Sequence, residues 1–349
     1  MPDIQGQSER LDDVLVAGAQ GAERPRTIAL TILALAEAAV ALGHQLEVAP
    51  LTGGLDETLD TNASGDTQKL IDVEAHRLVL RSLEQAPVAA MASEENDHAI
   101  PLTAGAPLVV AVDPLDGSGN LAINGPLGMI FSILPSIGRA PDDEFLRPGS
   151  EQVAAGFFLY GPATLLVLST GSGTDVYTLR RDDEVFVRSR CGIHVPQGTP
   201  AYALNASNAR HWTSEFRTYV ADLQAGAEGL RGQDFTMRWY GALVIEALRI
   251  LYGGGIYLYP ADLRPAYRAG RLRLVYEAQP IAFLMEQAAG AATDGHDRIL
   301  DKVASHLHER TPLVFGSADK VGRVGRYLKS PSHDAERAPL FTSRGLFRS

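Results

Sequence analysis

One cysteine, Cys191, is all the chain contains, so neither an intramolecular disulfide nor a thiolate metal cluster can form. Such usage fits a reducing compartment. Positive charge is scarce. Lys and Arg number 31 against 42 Asp and Glu, a formal net charge of −11, which argues against a whole-protein grip on nucleic acid or an anionic membrane. Long apolar runs are missing too. The longest, Ile28 to Leu42, covers about 15 residues and includes Thr31 and Glu37, whereas a bilayer needs roughly 20. It reads as a buried helix. The start, MPDIQGQSERLDD, lacks the basic and apolar regions of a secretory signal and the Arg/Ser richness of a transit peptide. The expectation is a soluble cytoplasmic protein with no membrane and no nucleic-acid partner. No G-x-x-x-x-G-K-[ST] occurs, which excludes a P-loop nucleotide enzyme, and His44, His194, His306 and His308 lack HExxH-like spacing.

What is present is ordinary for a globular enzyme: 349 residues, 45% hydrophobic and 21% charged, enough for two domains or one large layered one. Residues 1–48 read as two helical stretches separated around Gly21–Pro25, and Lys69–Gln85 as a helix apolar on one side. Six short apolar runs follow: Val88–Ala92, Leu108–Val112, Met129–Leu134, Val153–Tyr160, Leu165–Leu168 and Asp175–Leu179. Each is bounded by Gly, Pro, Asp or Ser, as strands of a buried sheet would be. The pattern breaks at Arg190–Pro200, which sets a boundary between units 1–193 and 194–329. The second unit alternates strands (Ala201–Asn205, Gly255–Tyr259, Arg271–Tyr276, Leu313–Phe315) with helices near His211–Leu223, Arg238–Leu251, Pro280–Ala289 and Ala318–Leu328. The fold class expected is α/β. Residues 330–349, polar and Arg-dotted, read as a flexible tail.

The most informative stretch is VVAVDPLDGSGN (109–120). Pro114 keeps Asp113 extended, and a sharp turn can bring Asp113 and Asp116 to one point. Gly117, Ser118 and Gly119 allow backbone N–H groups to converge on an anion. Acids beside an anion cradle make electrostatic sense only with cations between them; an Asx turn with solvated acids is the bland alternative. Glu94 and Glu95 follow an apolar run, where open α/β sheets place ligands. On an extended chain they would point opposite ways, one toward a metal and the other toward a water; an exposed acidic loop would look the same. Glu277 closes the apolar run LRLVYE, where burial demands a partner or a metal. Asp66 and Asp72 flank a turn and a helix start, and Asp66 could be a simple N-cap. Hard oxygen ligands suit Mg²⁺ or Mn²⁺, and carboxylates beside an anion nest suit metal-assisted phosphoryl transfer to water.

With those residues in view, the sequence resembles class I fructose-1,6-bisphosphatase, within the wider family of lithium-sensitive, metal-dependent sugar and inositol phosphatases. The resemblance runs from about Asn62 to about Lys320. NASGDTQKLIDV (62–73), ASEEND (92–97), DPLDGSGN (113–120), LVLSTGSGTDVYTL (166–179), GGIYLYPAD (254–262), GRLRLVYEAQPIAFLMEQAAGAATDG (270–295) and PLVFGS (312–317) carry it. It implies an α-β-α-β-α sandwich and hydrolysis of D-fructose 1,6-bisphosphate at the 1-phosphate with two or three Mg²⁺ (or Mn²⁺) ions. Glu94, Asp113, Asp116, Glu277 and the Leu115 carbonyl would ligate metal. Glu95 and Asp72 would help activate water, with Asp66 on a closing loop. Asp116, Gly117, Ser118 and Gly119 would meet the substrate at the reacting phosphate. The distal phosphate would be held by Asn205, Tyr259 and Arg271, with Tyr257 nearby and Arg238 supplied by a neighbouring subunit of a homotetramer.

Departures from the family pattern carry expectations of their own. Gly119 replaces a usual serine, and Arg271 a usual lysine, so a planar fork replaces a point donor. Arg238-Trp239 resembles the form in some bacterial Calvin-cycle members that also take sedoheptulose 1,7-bisphosphate. The amino terminus lacks the family's AMP-binding segment, and Ala106-Pro107 replaces a Lys-Tyr pair, so AMP inhibition is not expected. A preference for another sugar bisphosphate, an inositol phosphate, or a silent sugar-phosphate-binding regulator are the competing readings.

Overall fold

The computed structural model describes residues 9–19, 22–52, 58–61 and 67–329. Its helices are α1 (Leu11–Gly18), α2 (Glu23–Thr52), α3 (Leu70–Leu83), α4 (Ser214–Gln224), α5 (Leu243–Gly253), α6 (Gln279–Gln287) and α7 (Ala318–Lys329). A hairpin of β1 (Thr58–Thr61) and β2 (Thr67–Lys69) leads into α3. An eight-stranded sheet follows, built from β3 (Val88–Ser93), β4 (Ile100–Pro101), β5 (Leu108–Asp116), β6 (Leu127–Pro135), β7 (Ala154–Tyr160), β8 (Leu165–Ser169), β9 (Asp175–Arg180) and β10 (Val185–Arg190). Its order is β10-β9-β8-β7-β6-β5-β3-β4, antiparallel except where β3 lies parallel to β5. β11 (Ala201–Leu204), β12 (Thr236–Arg238), β13 (Ile256–Tyr259), β15 (Gly290–Thr293) and β17 (Leu313–Ser317) form a second sheet in the order β12-β11-β13-β17-β15. β14 (Leu272–Arg273) pairs with β16 (Arg310–Thr311).

Strand alternation sorts side chains between two cores. On β5, Leu108, Val110 and Val112 face a core shared with α1, α2 and α3. Val109 and Ala111 face the opposite core, shared with α5 and α6. The five-stranded sheet closes that second core and packs its far side on α4 and α7. Helices and sheets thus alternate in five layers, the expected α-β-α-β-α sandwich. The period-two rule puts Asp113 on the Val109–Ala111 side, so a carboxylate enters the central layer.

α2 is long and apolar enough to cross a membrane by length and composition alone. Here it covers the sheet: Ala29, Ile32, Leu35, Ala38, Ala39 and Leu42 are buried against α3 and the strands.

The structure differs from the sequence reading in several places. Arg238 is not helical; Thr236–Arg238 pairs with β11 as an edge strand, and α5 begins only at Leu243, after the left-handed Gly241 (φ 79°). The Arg271–Tyr276 strand stops at Arg273, and Leu274–Ala278 winds as a π-turn feeding α6. Glu94 and Glu95 occupy a turn rather than an extended end, so simple alternation does not separate them. β10 and β15 were not anticipated; half-exposed Arg and Ser in one, and small residues in the other, hide the strand signal. The expected tail, 330–349, lies outside the described residues.

Candidate active site

The acid cluster is assembled by three local devices. First, β5 and β6 slip register between Asp113 and Asp116, so Asp113 faces Ile130 while Asp116 faces Gly128. This bulge brings together two carboxylates three residues apart. Second, the Glu94 N–H bonds the Val112 carbonyl (3.0 Å), which ties the turn after β3 to the strand carrying Asp113. Third, the π-turn folds Glu277 inward, and its Oε2 accepts a hydrogen bond from the Arg273 N–H at 2.6 Å. π-turns recur at functional sites because they re-aim one side chain within a helix entry.

The result is a group of oxygens from Asp113, Asp116 and Glu277 lying within 4.8 Å of one another. Two full charges that close repel by about 3–4 kcal/mol even at an effective dielectric of about 20. Burial pushes the Asp113 and Glu277 carboxyls well above the usual carboxylate range, and the Glu94 charge pushes both further. Glu95 adds to the pressure on Asp113. Asp116 rises to about 6 through burial, opposed by the N–H groups of Val244 and Leu243 at the start of α5; its Oδ2 accepts from Val244 at 2.8 Å. The Arg273 guanidinium stands 3.8 Å from Glu94. Even with the Arg273 charge lowering it, the Glu277 carboxyl stays well above its usual range. Hard oxygens, close and buried, fit a dication.

Beside the acids, Gly117 adopts a left-handed conformation (φ 78°), and a Cβ there would meet the Ala242 Cβ at 2.6 Å. Ser118–Ile123 forms a 3₁₀ turn starting from it. Asp72, buried in the first turn of α3, accepts from the Lys69 N–H (2.8 Å) and lies close enough to Ser118 for that side chain to favour its charged form. Lys69 Nζ donates to the Ser118 carbonyl at 3.0 Å. Asp72 is thus linked through Lys69 to the glycine turn, and its burial raises its pKa. At Gly119 a Cβ would meet nothing within 4 Å, so a serine would fit there. Asp66 lies outside the described residues.

A second pole lies on the five-stranded sheet. β12, β11 and β13 run parallel, and Arg238, Asn205 and Tyr259 all fall at their carboxyl ends. Sheets of this type place ligands there. Arg271 stacks on Tyr267 (guanidinium carbon 3.6 Å from the ring centroid) and approaches the Tyr259 ring (5.8 Å). Arg264 grips Asp262 and donates to Asn208 Oδ1 at 2.9 Å; the guanidinium holds the Asp262 carboxyl below its usual range. Trp239 stacks on Tyr257 (6.0 Å, 12°) and packs on Tyr259, so Tyr257 is buried support.

The structure therefore brings Asp113, Asp116 and Glu277 together, with Glu94 and Glu95 near enough to raise Asp113, and Leu115 lies between the two aspartates with its N–H bonded to Asp113 (3.1 Å). It sets Asp72 against Ser118. Tyr259 and Arg271 meet. Asn205 instead turns its side-chain oxygen to Ser207 (2.6 Å from Oγ), and the exposed Arg238 donates to the Met237 carbonyl at 3.3 Å. Arg273, Arg264, Tyr267 and Asn208 were not singled out from sequence. An arginine within an apolar run, as in LRLVYE, is the one signal that could have flagged Arg273.

Comparison with known proteins matches residues 15–190 to the family description "Fructose-1-6-bisphosphatase, N-terminal domain" and residues 195–329 to "Fructose-1-6-bisphosphatase, C-terminal domain". A class 1 fructose-1,6-bisphosphatase of Methylorubrum extorquens is 48% identical over 97% of this chain and 98% of its own. One from Rhodopseudomonas palustris is 48% identical over 92% of this chain and 93% of its own. Among solved structures, Leishmania major fructose-1,6-bisphosphatase in holo form superposes with a TM-score of 0.86 at 28% identity, covering 93% of this chain and 100% of that one.

Proposed function

The chain belongs to the fructose-1,6-bisphosphatase family, class 1, and from that premise we propose how its own residues perform the reaction. It is a phosphoric monoester hydrolase that converts D-fructose 1,6-bisphosphate and water to fructose 6-phosphate and phosphate. The enzyme is metal-dependent, and Mg²⁺ is the ion we assign, two or three per site, with Mn²⁺ as a substitute.

Glu94, Asp113, Asp116, Glu277 and the Leu115 carbonyl would hold the metal, which when bound neutralises phosphoryl oxygens and stabilises charge on the leaving oxygen. Glu95 and Asp72, with Asp66, would orient and deprotonate the attacking water. What supports this role for Asp72 is its link through Lys69 to Ser118, next to the turn expected to receive the phosphate. Gly117, Ser118 and Gly119 would cradle the 1-phosphate. Tyr259, Arg271 and Asn205 would bind the distal phosphate over the platform that includes Tyr257, and a partner copy would add Arg238 within a homotetramer. Units 1–193 and 194–329 divide the labour, the first supplying most of the acids and the second Glu277 and the distal pole. The compartment we assign is the cytoplasm, in keeping with one exposed thiol at Cys191.

The observation that carries the metal assignment is the buried convergence of Asp113, Asp116 and Glu277. Phosphate release from a sugar-bisphosphate panel should vanish on chelation and return with Mg²⁺. Return with neither Mg²⁺ nor Mn²⁺ would overturn the ion assignment. The Arg238-Trp239 pair, which resembles the form in bacterial members that also take it, makes sedoheptulose 1,7-bisphosphate the informative second substrate.

A further inference from the structure

His308 precedes β16 and lies outside the acid cluster, yet it touches the supports of two of the cluster's segments. Its Nε2 is 3.1 Å from the Asn96 carbonyl oxygen. A carbonyl only accepts, so Nε2 carries the hydrogen and donates it. The ring packs on Tyr276, centroids 5.4 Å apart at 50°. Asn96 lies two residues beyond Glu94, and Tyr276 immediately precedes Glu277. Nδ1 of His308 is buried without a hydrogen-bond partner among the described residues, as is the Tyr276 hydroxyl. The polar work of this imidazole therefore goes through the Asn96 bond.

The turn it holds is pinned again farther along. Asp142 Oδ1 accepts from the Ala99 N–H at 2.7 Å, and its Oδ2 meets His98 Nδ1 at 2.9 Å. Residues 96, 98 and 99 are thus fixed from outside, while Glu94 faces the repulsion of Asp113 and Glu277 and Glu95 that of Asp113. The Glu94 N–H bond to Val112 fixes the start of this turn and the Asn96 bond its far side; without the latter the turn would swing about the former and the donor set would open.

We propose that His308 is a positioning residue that locks the Glu94–Glu95 turn to the Tyr276–Glu277 turn, keeping acids from distant chain segments assembled before a dication arrives. The inference rests on the metal assignment above. Partners of this indirect kind typically set metal affinity by about 10- to 100-fold when they bond a ligand side chain. His308 bonds the backbone of a ligand-bearing turn, so the lower end of that range is expected.

The test uses the full chain and Mn²⁺ alone, followed by electron paramagnetic resonance, with melting temperature of the metal-free protein and steady-state kinetics in parallel. His308→Phe keeps a ring against Tyr276 and removes the donor. It should weaken Mn²⁺ binding about 5- to 10-fold and lower kcat at sub-saturating metal, with KM for the sugar bisphosphate within about twofold. His308→Gln restores an N–H at similar reach and should recover most of the affinity, which also covers the case in which the Phe variant fails to fold. Wild-type affinity in both variants would overturn the proposal. So would equal loss in both in step with a fallen melting temperature, since that is the signature of packing alone. Failure of the wild type itself to bind Mn²⁺ would instead sink the metal assignment.

Discussion

At one pole of the site carboxylates crowd together and are pushed up in pKa; at the other, guanidiniums crowd among partners. Glu94, Asp113, Asp116 and Glu277 have Arg273 nearby and a few backbone N–H groups. Arg264 and Arg271, by contrast, have Asp262, Asn208, Tyr259 and Tyr267. On the metal assignment proposed above, the first arrangement is completed by a dication, so its members should act as a unit. The second is complete as it stands, and each member adds a graded share of binding. An interaction made equally in ground and transition states moves KM, whereas one that stabilises developing charge moves kcat.

The sharpest way to break this contrast is Asp113→Asn. It removes a buried charge from the acidic pole while keeping shape, and should cut kcat by about 10³-fold or more. Melting temperature of the metal-free protein should hold or rise as repulsion is relieved. A variant turning over near the wild-type rate would show that the acids do not act together.

A middle-sized effect is expected at the cationic pole. Arg271→Ala should raise KM roughly tenfold with kcat within a few-fold, because a remote phosphate handle is lost. Arg271→Lys should fall between, since an ammonium keeps charge but not the planar stack on Tyr267. A fall in kcat with KM intact would mean that the two poles are not separable.

The smallest effect sharpens the role of the glycine turn. Gly117→Ala should lower stability by about 1–3 kcal/mol, through its left-handed φ and its contact with Ala242. Gly119→Ser should leave the melting temperature unchanged, because its Cβ meets nothing within 4 Å. Thermal unfolding of the pair checks both.

The acidic pole was legible in large part because it rides on strong local signals. β5 is an apolar strand, Pro114 and Gly117 punctuate it, and alternation alone puts Asp113 on the inner face. Glu277 was legible as a residue but not as a shape. Its π-turn is stabilised by tertiary burial of Tyr276 and Leu274, which no local propensity announces. The cationic pole was harder. Arg264, Asn208 and Tyr267 come from irregular segments, and their mutual contacts exist only once β11 and β13 lie side by side. The spacing of His308 argues against a ligand role, and the metal-competent group among the described residues is formed by carboxylates. Its hydrogen bond to a backbone oxygen leaves no trace in the sequence.

Cys191 stands exposed just after β10, where the chain leaves the eight-stranded sheet for the five-stranded one. Because the sequence has no other thiol, a maleimide dye added to the unaltered protein attaches at a single known point on that crossing. Any rotation of one sheet against the other as substrate settles would then register as a change in the emission of one fluorophore, with no mutagenesis beforehand.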